Sequence, residues 1–152
     1  MQSLKMLLKN GLESGYPTAK DKNGKIHCLL HEGYPPRVIG RGDNYEDIVA
    51  KEGPPPVYRD KPEWEGMERF HRYQKRYHAA LRRLWAEEKV YPGLMIQARR
   101  LCDELEPMFQ GVEAYIATKR AEAFSYKERC RLDSACLAIE AKLDNVELWL
   151  GM

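Results

Sequence analysis

Residues 131–150 read RLDSACLAIEAKLDNVELWL. Within them Leu132, Cys136, Ile139, Leu143, Val146 and Leu150 recur at spacings that alternate between four and three. Such alternation keeps one apolar seam on a helix of 3.6 residues per turn, so the stretch predicts a long helix packed lengthwise against other helices. Upstream, Ser125-Tyr126-Lys127-Glu128 has the form of a capping box and predicts where that helix begins. The seam is shorter than three heptads. That length suits packing within one chain, and its alternative use is a homodimer through Leu132, Ile139, Leu143 and Val146.

Proline usage extends this reading to the whole chain of 152 residues. Pro17, Pro35, Pro36, Pro54, Pro55, Pro56 and Pro62 lie in the first 62 residues, and only Pro92 and Pro107 follow. Proline fixes φ and removes a backbone donor, so residues 1–61 are expected to form a loop-rich arm and residues 62–152 a helical bundle. In the arm, Leu4, Leu7 and Leu8 suit a short helix. Asn23-Gly24 suits a two-residue hairpin followed by a strand over residues 25–30. Asp43 with Glu46 suits a capped short helix ended by Gly53, and Pro54-Pro55-Pro56 a stiff extended spacer. The arm is expected to fold back over the bundle through Val38, Ile39, Ile48 and Val49.

In the bundle, Pro62 suits a first helical position, with Glu63, Glu65 and Glu68 near the positive end of the helix dipole. That helix should run to about Lys89, before Tyr91-Pro92-Gly93. A second should span Leu94 to Glu106, carrying Ala98, Leu101 and Leu105 on one side. Pro107 either kinks it or opens another carrying Phe109, Val112 and Ile116. The fold class expected is mainly α: a three- to four-helix bundle preceded by a Pro/Gly-rich arm containing a short hairpin.

Composition bounds the function. A hydrophobic fraction of 43% and a charged fraction of 32% describe a soluble globular chain. No apolar run approaches the roughly 20 residues that span a bilayer, so no membrane partner is expected. The first residues lack the unbroken apolar core of a signal peptide, so a cytoplasmic protein with reduced thiols at Cys28, Cys102, Cys130 and Cys136 is expected. The net charge of +2 is too small for long-range attraction to nucleic acid.

Local clustering is another matter. Residues 69–83, RFHRYQKRYHAALRR, hold Arg69, Arg72, Lys75, Arg76, Arg82 and Arg83 and no acid. On a helix Phe70, Tyr73, Tyr77 and Leu81 fall on one arc, facing the core, and the cations on the opposite arc. The aromatic residues therefore pack instead of stacking on bases. The cationic arc suits phosphates or acidic protein surfaces, or is matched by acids within the fold, since residues 62–152 carry 15 basic and 15 acidic side chains. The loop-rich stretch from Gly33 to Gly53 adds Arg37 and Arg41 among aromatic residues, a composition found at binding hot spots.

Catalytic signatures are missing: no Gly-rich phosphate loop, no nucleophile elbow and no His-Glu-x-x-His. Cys28-x-x-His31, with His27, supplies half of a zinc site and lacks a second half, which favours a buried cysteine between surface histidines. Asp43, Glu46 and Asp47 are Mg²⁺ ligands by type, but helix capping accounts for two of them. Arg41-Gly42-Asp43 is a chance tripeptide in a cytoplasmic chain. His71 and His78 stand seven residues apart, too far along a helix for one metal. No metal or cofactor is expected.

The expectation is a non-catalytic adaptor or inhibitor, of the kind found among phage and mobile-element accessory proteins. It would bind an acidic protein or nucleoprotein surface through Arg69, Arg72, Lys75, Arg76, Arg82 and Arg83, supported by Arg37 and Arg41. Nucleic-acid binding by the same helix is the alternative, and a small metal-dependent enzyme the second alternative.

Overall fold

The structure, a computed structural model, describes residues 17–38, 44–119 and 121–152. Leu4, Leu7, Leu8, Ile39, Arg41 and Asp43, which carried expectations above, lie outside the described residues. The described chain is mainly helical with one short antiparallel hairpin. It divides into two compact units, Met1–Arg59 and Asp60–Met152.

In the first unit, strands β1 (Thr18–Lys20) and β2 (Ile26–Cys28) pair with Thr18 opposite Cys28 and Lys20 opposite Ile26. The connection is therefore residues 21–25, longer than the expected two-residue turn, and β2 is shorter than the expected strand. Asp21 accounts for the wider loop, because its Oδ1 accepts from the Asn23 and Lys25 amides at 2.8 and 2.9 Å. Helix α1 (Tyr45–Glu52) is capped by Asn44, whose side chain accepts from the Asp47 amide. The cap is thus one residue later than the predicted Asp43. Gly53, with φ +83°, ends the helix, and its carbonyl accepts from the Tyr34 hydroxyl at 2.9 Å.

Pro55 is extended, at φ −51° and ψ 129°, and the expected Pro54-Pro55-Pro56 spacer gives way at Pro56 to a 3₁₀ turn, Pro56–Tyr58. Arg59 holds that turn against the C-terminal end of α1, donating to the Glu52 and Pro54 carbonyls. Two of the four apolar side chains assigned to a covering arm are used within this unit. Val38 and Ile48 are buried with Ala19, Leu29 and Tyr34 in a small core of this unit.

The second unit is a three-helix bundle of α2 (Met67–Glu88), α3 (Ile96–Thr118) and α4 (Tyr126–Trp149). Cross-helix bonds give the directions. Tyr77 Oη donates to the Cys102 carbonyl and Lys142 pairs with Glu104 at 2.7 Å, while Trp64 meets Asp133, Tyr73 meets Glu140 and Arg76 meets Asp144. So α3 runs against both α2 and α4, an up-down-up arrangement with short connections.

Helix α2 begins five residues after Pro62. The preceding segment is tied down by a β-bridge between Lys61 and Phe124 and by buried Trp64, whose Nε1 donates to Asp133 at 2.9 Å. Pro107 neither ends nor splits α3, which runs through it unbroken. Leu105, Phe109 and Val112 on either side of Pro107 are buried in the core, so tertiary packing outweighs the loss of one helical hydrogen bond.

The core joins Phe70, Tyr73, Tyr77 and Leu84 of α2 to the α3 residues above and to the full α4 seam. Phe109 packs against Phe70 and Tyr77 with ring centroids 5.7 and 4.9 Å away. Leu132, Ile139, Leu143 and Val146 are at most 4% exposed. They are buried in the core of this unit. The capping box at Ser125 forms as expected, with both reciprocal bonds present. Among the described residues no helix is long and apolar enough to cross a membrane.

Candidate interaction surface

Helix α2 has three arcs with different partners. Its inner arc is in the core, so the aromatic residues Phe70, Tyr73 and Tyr77 are packing groups. The flank toward α4 carries arginines matched by that helix. Arg69 reaches Asp133 at 3.5 Å. Arg76 donates from Nη2 to Asp144 at 2.7 Å, and from Nε at 3.2 Å and Nη2 to Glu147. The two carboxylates raise the pKa of Arg76 above its ordinary value despite partial burial. Arg72 and Arg83 have acids one turn away, Glu68 at 3.9 Å and Glu87 at 3.4 Å. Of the six predicted cations, Arg76 is thus a clamp between helices, and Arg69 leans toward the same role.

The outer arc is different. His71, Lys75, His78, Arg82, Trp85 and Lys89 follow at alternating spacings of four and three, and all six are exposed. Among the described residues no ion pair engages Lys75 or Arg82, and Lys89 lies over the Trp85 ring at 3.7 Å. Neither Lys75 nor Arg82 has an acid three or four residues away in either direction. The rigid helix fixes the backbone of this face in advance, so only its side chains are ordered on meeting a partner.

The stripe leads into an apolar end of the bundle. Trp85 is 65% exposed, and Val90, Tyr91, Leu94 and Ile96 in and beside the α2–α3 connection are exposed too. Trp85, Lys89, Pro92, Ile96 and the Glu88–Arg99 ion pair border a cleft of about 370 Å³. Exposed apolar side chains gathered in this way, rimmed by charge, mark contact surfaces. The reading of residues 69–83 stopped two residues short of Trp85 and so missed this continuation, although the same spacing rule reaches it.

The other candidate residues fall elsewhere. Arg37 is paired bidentately with Glu52 at 3.2 and 2.7 Å, a contact within the first unit. His27 is not a surface histidine. Its Nδ1 meets Glu32 at 2.5 Å, its Nε2 meets Asp21 at 2.9 Å, and its ring stacks on Tyr45 at 3.6 Å. Burial opposes its charge, but the two carboxylates prevail and raise its pKa, while the bond from His27 lowers that of Asp21. With both nitrogens occupied, this imidazole offers no lone pair to a metal or a substrate.

Cys28, Cys102 and Cys136 are buried and Cys130 is exposed, and burial pushes the Cys102 thiol up to about 11. Among the described residues no group of three metal-ligating side chains is gathered. Arg129, buried at the start of α4 near Glu65 and the Tyr126 ring, was not singled out in the sequence, where nothing separates it from Arg131.

Comparison with known proteins adds no family: no protein-family model matches the chain, and no curated protein or solved structure is significantly similar to it.

Proposed function

We propose that this chain is a non-catalytic interaction protein that binds an acidic protein or nucleoprotein surface through the outer arc of α2. The observation that supports the reading is the six-residue stripe from His71 to Lys89, cationic and exposed, with Lys75 and Arg82 unmatched by acids among the described residues. Its last two members, Trp85 and Lys89, border a cleft that Pro92, Ile96 and the Glu88–Arg99 ion pair complete. Tryptophan and arginine are the side chains that dominate interface energetics, and here they stand one turn apart. Lys75, Arg82, Lys89 and Trp85 are the contact residues on this reading. Arg72 and Arg83 flank them, and Arg76 supports the fold beneath. The non-catalytic part rests on His27, whose ring nitrogens both serve the fold.

The test uses the full chain as bait in native lysate with and without nuclease, beside the double variant Lys75→Glu, Arg82→Glu. A specific partner should survive nuclease and be lost from the variant, while helical circular dichroism stays unchanged. Equal capture by the variant refutes the site. Capture that vanishes with nuclease, together with a mobility shift of unrelated DNA or RNA at low salt, transfers the stripe to phosphates. Three cations on phosphates give a salt slope of about −2.7, or roughly a 40-fold loss of affinity between 50 and 200 mM salt.

A further inference from the structure

Helix α4 is poor in charge on two opposite sides. Its inner seam is in the core. On the opposite side a second series runs Cys130, Ser134, Leu137, Ala141, Asp144 and Leu148, again at alternating spacings of four and three. All six are exposed, Leu137 at 62% and Leu148 at 78%. Asp144 is the one charged member, and it is tied back to Arg76 at 2.7 Å. The outward arc of a surface helix is ordinarily charged, as that of α2 is, whereas here one charge stands among four apolar side chains and a serine. Helices α2 and α3 enclose two sides of α4 and leave this one open.

We propose that a second copy of this chain covers the open side, packing α4 against α4 in antiparallel orientation. The series is complementary to itself when reversed. Leu137 then lies opposite Ala141 of the second copy, Leu148 opposite Cys130, and Ser134 opposite Asp144. Each large side chain meets a small one, so knobs find holes and the helices approach closely. The Ser134 hydroxyl donates to a carboxylate, a charge-assisted hydrogen bond. A parallel pairing in register places Asp144 on Asp144 and leucine on leucine, so charge selects the antiparallel form.

A second charge contact agrees. Arg72 has a side chain 63% exposed and only a 3.9 Å approach to Glu68. It borders the same cleft as Leu137. The antiparallel pairing would bring to that flank Glu140 of the second copy, which also accepts from its own Tyr73. The pairing uses none of the six residues of the outer α2 stripe, and the contact is isologous, so assembly closes at two copies.

Sedimentation velocity of the full chain should give twice the 17.7 kDa of one copy. Leu137→Glu should give a monomer with unchanged helical circular dichroism. Orientation is read by cross-linking. The Cys130 thiols of two antiparallel copies lie about 27 Å apart, 18 residues at 1.5 Å each, so the unaltered dimer should not form an intermolecular disulfide with oxidised glutathione. Leu148→Cys brings a thiol opposite Cys130 of the second copy and should cross-link, and Cys130→Ala in that background should abolish it. A monomer at the highest soluble concentration overturns the proposal. A dimer indifferent to Leu137→Glu overturns the face, and one cross-linked through Cys130 alone overturns the orientation.

Discussion

Replacing Arg76 with methionine separates a structural clamp from a contact residue. The substitution keeps the aliphatic stem and removes the fork, which holds Asp144 and Glu147 and lies 5.7 Å from the centroid of the Tyr73 ring. Asp144 is 61% exposed, so its share is that of a surface pair, about 0–1 kcal/mol. Glu147 is 23% exposed and is left short of a partner, so its share approaches the lower end for a charge-assisted bond, about 1.5 kcal/mol. Together the loss is about 1.5–2.5 kcal/mol. With a urea dependence of about 1–3 kcal/mol per molar, the unfolding midpoint should fall by roughly 1 M at constant slope. Adding Glu147→Gln removes the stranded charge, and the double variant should recover about 1 kcal/mol of that loss, since contacting residues do not add. A midpoint that moves by less than about 0.2 M, on the same scale, would falsify the clamp. So would loss of partner capture with stability intact, because Arg76 would then face the partner and not α4.

Two further outcomes test local chemistry. Ser125→Ala removes the cap of α4 and should destabilise the bundle by about 1 kcal/mol in urea unfolding. It should also raise the pKa of Glu128, because Lys119 first, then Tyr115 and the Ser125 amide, which alanine keeps, are joined by the Ser125 hydroxyl in holding that carboxyl down to about 2. A carboxylate depressed in this way adds stability above its unfolded value of 4.5, lost as pH falls toward 2, and Ser125→Ala should shift that acid limb upward. His27 should titrate above 6.5 by NMR. A histidine pKa raised on folding contributes stability fully present below 6.5 and lost as pH rises through the folded value, whereas Asp21, lowered on folding, contributes above 3.8 and loses it in acid. The hairpin unit should therefore be most protected between about pH 4 and 6.5, and a His27 pKa at or below 6.5 refutes the paired-carboxylate account.

How much of this was legible depends on the reach of each contact along the chain. The α4 seam and its Ser125 cap were readable because both are local, set by spacings of three and four. The unbroken path of α3 through Pro107 was not, because the packing that holds it comes from α2 and α4. The cationic arc divides the same way. Arg72 and Arg83 have acids four residues away, which could be read in advance. The acids on Arg76 lie 68 and 71 residues off and could not. Lys75 and Arg82 carry the complementary signal, no acid within a turn on either side, and that absence was readable but unused.

Side-chain chemistry follows the same division on α2. The flank toward α4 is arginine throughout, at 69, 72, 76 and 83, whereas two of the three fixed cations on the outer stripe are lysines. A planar fork with five donors suits a fixed pair of carboxylates, as on Asp144 and Glu147, while a flexible ammonium suits a surface that waits for a partner. Arg82 is the exception on the stripe, one turn before Trp85. If the stripe were only a solvating face, arginine at that position would carry no advantage. Arg82→Lys should then leave partner capture unchanged, whereas a planar contact beside the indole predicts that lysine fails to replace it.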